Sequence, residues 1–238
     1  MRILGFIILL AILLTGCHGV PKKKVTTNNW QQAQKQILQQ YGARSETRLK
    51  SYFKQAGVRY PPKKVNLLVF KKERKVELWA QDHRRQNKLI RTYPMTATSG
   101  LPGPKMRQWD KQIPEGIYNI VYLNPFSEYH LSMMLNYPNQ FDREKARLDG
   151  RTNLGDEIFI HGKRASAGCI AVGDRAMNEL FVLMSRVGAR NAQVIIAPND
   201  LRKRKPFLDH KQPKPNWLPE LYTKINRRLQ SFHTTVSA

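Results

Sequence analysis

The chain has 238 residues and carries 41 Lys and Arg against 17 Asp and Glu, a formal charge of +24. That length allows one domain with a sizeable core plus appendages. The charge selects polyanionic partners, yet no aromatic-basic motif of a nucleic-acid binder stands out, so nucleic acid is not the expected partner.

Met1-Arg2 followed by twelve apolar residues, Ile3 to Leu14, reads as an export signal (residues 1–16), being too short for the ~20 residues that cross a bilayer. Leu14-Thr15-Gly16-Cys17 resembles a bacterial lipobox. Cleavage before Cys17 would leave a lipidated N-terminal cysteine, and His18 after it favours the outer membrane over the inner one. The expected location is the periplasm, with the domain anchored as a lipoprotein. Residues 17–29, including Pro21 to Asn29 (PKKKVTTNN), lack apolar periodicity and read as a tether; Cys17 to Trp30 spans at most ~45 Å when extended.

Trp30, Ala33, Ile37, Leu38 and Tyr41, then Leu49, Tyr52, Phe53 and Ala56, recur at helical spacing and predict a helical region over 30–60, as one helix interrupted near Gly42 or as two. Tyr60-Pro61-Pro62 ends it. Strands are predicted at Val65 to Lys71, Lys75 to Asp82, Lys88 to Thr92, Gly116 to Leu123, Tyr129 to Asn136 and Gln193 to Ala197. Thr98 to Gln112 is rich in Gly, Pro and charge and reads as an exposed loop, and Pro138 to Gly155 as a loop or short helix. Met177, Leu180, Phe181, Met184 and Val187 predict a helix starting at Arg175, with Asp174 as its N-cap and Gly188 closing it. Arg202 to Pro215 is a basic, Pro-bearing linker, and Leu218 to Phe232 an amphipathic helix (residues 201–238 together), either a packing element or a polyanion-binding arm. Many strands without βαβ alternation give a β-rich α+β domain over 61–200.

The chemistry concentrates in Ile158 to Asp174, IFIHGKRASAGCIAVGD. Ile158 to Ile160 reads as a buried strand that delivers His161, and Gly162, Ala165, Ser166, Ala167 and Gly168 as a tight loop ending at Cys169. With Cys17 consumed by lipid, Cys169 is the remaining thiol of an exported chain, unpaired in an oxidising compartment, which favours a chemical role. An imidazole beside it can take its proton, and the thiolate is the nucleophile. The bland alternatives are a small buried hydrophobe and a satisfied core histidine. A zinc site needs three or four ligands, which are not at hand.

His161-Gly162 and Ser166-Ala167-Gly168-Cys169 resemble the active-site signature of the L,D-transpeptidase catalytic domain (YkuD-type) family. Val65 to Asp82, Gly103-Pro104-Lys105, Ile113 to Tyr118 and Asn124 to Asp142 resemble its YafK-like branch, so the resemblance covers about Val65 to Pro198. Ala167 and Ala171 stand where the commonest pattern has His and Arg, and the gap from His161 to Cys169 is shorter than in most members.

The resemblance implies a family fold of mixed β-sheets forming a bowl around the cysteine, flanked here by the N-terminal helical region and the C-terminal helix. It implies acyl transfer on diaminopimelate-containing stem peptides of peptidoglycan, with Cys169 as nucleophile and His161 as base. Ser166, or a backbone carbonyl near Gly162, would orient the imidazole, and backbone N–H groups around Gly162, Gly168 and Cys169 would bind the oxyanion. Lys163, Arg164 or Arg175 could replace the missing cation, and Tyr129 and His130 are further candidates for substrate contact. No metal or organic cofactor is implied. Three outcomes stay open: transpeptidation, hydrolysis of a diaminopimelate-linked amide such as a lipoprotein linkage, and a wall-binding lipoprotein without chemistry.

Overall fold

The computed structural model describes residues 27–208 and 214–233. The expected signal segment, Cys17 and the tether up to residue 26 lie outside these described residues. The strands are β1 (Val65–Phe70), β2 (Lys75–Gln81), β3 (Asn87–Pro94), β4 (Gly116–Asn124), β5 (Ser132–Leu135), β6 (Phe159–His161), β7 (Ile170–Ala171) and β8 (Ala192–Ala197); the α-helices are α1 (Thr27–Gln55), α2 (Gln140–Leu148), α3 (Asp174–Val187) and α4 (Leu218–Leu229). The strands form one sheet in the order β3-β2-β1-β8-β4-β5-β6-β7. Its pairs are antiparallel except β1 with β8 and β6 with β7.

The last strand in sequence therefore sits mid-sheet, beside the first, and composition explains why. Val65, Leu67, Val69, Val194 and Ile196 point into one apolar cluster, and Leu68, Phe70, Ile195 and Ala197 into another. Strands apolar on both faces are stable only where both faces are covered. Buried Met177, Leu180, Phe181 and Met184 of α3 cover the first face, and Leu221, Ile225 and Leu229 of α4 cover the second. The helix at the C-terminal end is thus a packing element: Phe232, just past it, is fully buried against Trp79.

The sheet curls until its ends meet. Thr96 N–H, just beyond β3, donates to Ala171 O (2.8 Å), and Ala97 bridges Ala171. One edge strand of the sequence is thereby tied to β7, the other edge, directly beside the signature loop.

Helix α1 departs from expectation in two ways. It begins at Thr27, taking in the last residues assigned to the tether, and it runs unbroken for 29 residues through Gly42. A helical glycine costs about 1 kcal/mol. Burial of Leu49 and Phe53 and the ion pairs Arg48–Glu179 (2.6 Å) and Arg186–Glu46 (2.7 Å) offset that cost. Glu179, fully buried on α3, also binds Arg91 (2.9 Å) and the Tyr93 hydroxyl (3.1 Å) of β3. One carboxylate thus locks α1, α3 and β3 together.

Two further differences are local. The strand predicted from Tyr129 shortens to Ser132–Leu135, because His130 has φ +75° and breaks the extended path. Gly173, not Asp174, occupies the N-cap of α3. The Asp174 carboxylate instead accepts the Lys163 N–H (2.7 Å), holding the signature loop to the helix. Among the described residues no helix is long and apolar enough to cross a membrane.

Candidate active site

His161 ends β6 and Cys169 immediately precedes β7. Their parallel register pairs Ile160 with Ile170 and His161 with Ala171, which sets Cys169 opposite Phe159. Side chains alternate along a strand, so Phe159, His161 and Cys169 share one face while Ile160 and Ile170 enter the core, both fully buried. His161 and Cys169 are then diagonal neighbours on adjacent strands, roughly 7–8 Å apart at Cα. With Phe126, Tyr129, Ser132 and Ser166 they line a cleft of ≈ 270 Å³. A roomier groove of ≈ 830 Å³ along α4 carries Arg202, Lys203 and Arg204 and, among the described residues, no cysteine or histidine.

The imidazole is oriented by backbone. Nδ1 lies 2.7 Å from Gly162 O; a carbonyl only accepts, so the tautomer assigned from this bond has its proton on Nδ1 and a free lone pair on Nε2. The Tyr129 ring packs against it, centroids 4.7 Å apart. Burial pushes the His161 pKa below the ordinary histidine value, with the Gly162 carbonyl opposing. Burial pushes the Cys169 thiol up, while the Phe159 N–H (3.4 Å from Sγ) and the Lys105 ammonium pull it down and the Glu157 carboxylate adds to the rise. Both shifts favour the same resting state, a neutral thiol beside a neutral base.

Ser166 does not orient the imidazole. Its Oγ donates to Cys169 O (2.8 Å) and lies 2.9 Å from Ser99 Oγ, which accepts the Gly168 N–H (2.7 Å). Since the Ser166 hydrogen is committed to Cys169 O, Ser99 donates to Ser166. A continuous chain results, Gly168 N–H to Ser99 to Ser166 to Cys169 C=O, which pins the backbone at Gly168 and Cys169. Gly168 is required there: its φ is +114° and a Cβ would stand 3.0 Å from Gln112 O. At Gly162 a Cβ would lie 2.6 Å from Asp174 Oδ1 and 2.8 Å from Tyr129 O. The two glycine N–H groups expected to face an oxyanion are engaged, Gly168 with Ser99 and Gly162 with Leu131 O (3.2 Å).

The other candidates divide. Tyr129 is in the cleft. His130 is turned away by its positive φ and meets Asn178 (2.6 Å) and Tyr41. Lys163 and Arg164 line a neighbouring cleft of ≈ 520 Å³ together with Arg91, Asp174 and Arg175. The Lys163 ammonium donates to Glu128 O (2.5 Å). Ser99 and Phe159 escaped sequence reading. The first sits in a loop remote in sequence; the second could have been found by counting two residues back from His161. Among the described residues no group of three or more His, Cys, Asp or Glu is placed to hold a metal ion.

Residues 65–196, more than half of the chain, match the YkuD family model, the L,D-transpeptidase catalytic domain. The chain belongs to that family. A curated relative, YafK of Escherichia coli, is 32% identical over 139 residues, covering 56% of this chain and 54% of its own. The chain thus spans about half the length of the curated relatives it matches. Among solved structures, the helical cell shape determining protein Pgp2 from Campylobacter jejuni is 21% identical with a TM-score of 0.46, covering 61% of this chain and 50% of that one. Bd1075 from Bdellovibrio bacteriovorus is 25% identical with a TM-score of 0.41, covering 57% and 48%. The fold is α+β, with the L,D-transpeptidase catalytic sheet flanked by an N-terminal and a C-terminal helix.

Proposed function

We propose that the protein is a cysteine acyltransferase acting on diaminopimelate-containing stem peptides of peptidoglycan. The observation that carries this reading is the shared cleft, in which His161 is held by Gly162 O with Nε2 unprotonated on the same sheet face as the Cys169 thiol. Attack by Sγ on a peptide carbonyl forms the C–S bond while the thiol proton passes to Nε2. Collapse breaks the C–N bond, and the imidazolium returns the proton to the leaving amine. An amine or a water then attacks the thioester, gives its proton to His161 and releases the thiol. Because the resting pair is neutral, proton transfer accompanies attack. The Cys169 N–H, adjacent to the thiol, is the donor proposed for the oxyanion.

Amine attack gives transpeptidation and water attack gives hydrolysis of a diaminopimelate-linked amide. One observation favours the second reading: Ala171 places no cation on this sheet face, and the ammonium groups nearby are already engaged, Lys105 with Asp110 (2.6 Å) and Lys163 with Glu128 O (2.5 Å). The test is mass spectrometry of muropeptides after incubation with pure protein. New cross-links or exchanged D-amino acids identify a transpeptidase, and released wall-bound peptide without new links identifies an amidase. Unchanged muropeptides, or activity surviving Cys169→Ala, would refute the proposal. The lipobox-like segment supports an outer-membrane lipid anchor facing the periplasm, tested by whether detergent-phase partitioning is lost in Cys17→Ser.

A further inference from the structure

The wall of the cleft continues outward as an aromatic strip. From Tyr129, against His161, it passes to Phe126 and Tyr122, with exposures of 44%, 50% and 37%. Soluble proteins rarely leave large apolar side chains contiguous and open without a binding role. The strip is also built to stay in place. Asn124 Oδ1 accepts the Phe126 N–H (3.0 Å) and Ser127 Oγ accepts the Tyr129 N–H (3.2 Å), fixing the turn that presents both rings. Trp30 of α1 packs edge-on against Phe126 (5.4 Å) and Tyr122 (5.6 Å). Trp30 lies outside residues 65–196, so a helix beyond the family domain braces the mouth of the site.

Charge decides the occupant. In a chain of +24, the strip itself consists of rings bordered by Glu128; the two ammonium groups nearest to it are engaged, Lys163 with Glu128 O (2.5 Å) and Lys105 with Asp110 (2.6 Å), and Arg164 and Arg175 line the other cleft. The stem peptide carries carboxylates, which seek cations. The sugar rings of peptidoglycan are largely uncharged and offer flat C–H faces to an aromatic ring. We infer that the strip of Tyr129, Phe126 and Tyr122, braced by Trp30, is a saccharide-binding ledge that seats the glycan strand beside the thiol cleft. The Asn124 amide N–H groups and the Ser127 hydroxyl remain as donors to sugar hydroxyl and acetamido oxygens. Trp30 is a positioning residue. The inference rests on the peptidoglycan reading.

The experiment uses full-length Cys169→Ala protein, titrated calorimetrically with peptide-free glycan chains and, separately, with sugar-free stem peptide. Tyr122→Ala should weaken glycan binding at least tenfold and leave peptide binding within twofold. Tyr122→Leu, which keeps apolar bulk without a flat ring, should do the same. Trp30→Ala should weaken glycan binding and Trp30→Phe should restore most of it. Absence of glycan binding, glycan affinity untouched by Tyr122→Ala, equal loss for both ligands, or binding of phosphatidylcholine vesicles in place of glycan would each overturn the ledge. If glycan binds through Tyr122 while Cys169-containing protein leaves muropeptides unchanged, the acyl-transfer reading fails and the ledge stands.

Discussion

Replacing Ser99 by alanine removes one oxygen from a loop outside the signature and unties the backbone at Cys169. The buried Gly168 N–H loses its acceptor, at a cost of about 1–3 kcal/mol, and the Ser99–Ser166 bond goes too, about 0.5–1.5 kcal/mol. Ser99→Ala should therefore destabilise by about 3 kcal/mol, which for a domain of this size lowers Tm by ~6–12 °C. Ser166→Ala loses the bond to Cys169 O and the same shared bond. The shared bond is counted twice in the single variants and once in the double, so the cycle should show coupling of about 1 kcal/mol. Urea unfolding of the four proteins measures it, and the thiol-alkylation rate of each reports whether Cys169 has moved. Single losses that add to within ~0.3 kcal/mol in the double variant would refute the hydrogen-bond chain.

Glu179→Gln keeps shape but leaves Arg48 and Arg91 without their carboxylate; breaking such a buried pair costs about 3–5 kcal/mol, so the melting temperature should fall by about 10 °C, and a fall under ~2 °C would contradict the role given to this residue. The depressed His161 pKa stabilises the fold above the ordinary histidine value of ~6.5, and this contribution is lost as pH falls through the lowered value in the folded state. Urea midpoints between pH 7 and pH 5 should thus drop more for wild type than for His161→Gln. The raised Cys169 pKa predicts iodoacetamide labelling that keeps accelerating beyond the pH at which a free cysteine levels off; a plateau near pH 6 would mean a preformed thiolate–imidazolium pair.

Much of this architecture is legible in local sequence. The apolar run Val65 to Phe70, the alternation around β4 and the three-and-four spacing of Met177 to Val187 each mark an element whose period the structure keeps. The spacing of His161 and Cys169 becomes intelligible once β6 and β7 pair in parallel. What sequence conceals is long-range or conformational. Ser99 meets Ser166 across 67 positions, and no local pattern marks it. Gly42 reads as a break because propensity counts only the helix, whereas Arg48 and Phe53 hold α1 from outside it. His130 follows Tyr129 directly in sequence, but its positive φ takes the ring to Asn178, which no local pattern reveals.

The tie between Ala97 and Ala171 has a consequence for timing. Cys169 is positioned by the contact that joins the first strands of the sheet to its far edge, so no fragment that stops short of β7, and no hairpin of β1 to β3 alone, contains the paired arrangement of His161 and Cys169. Loop closure over such a separation is slow compared with local structure formation. While the chain is still incomplete, Cys169 is an ordinary thiol. Reactivity arrives with the closed sheet, which makes alkylation of Cys169 a clock for the completion of folding.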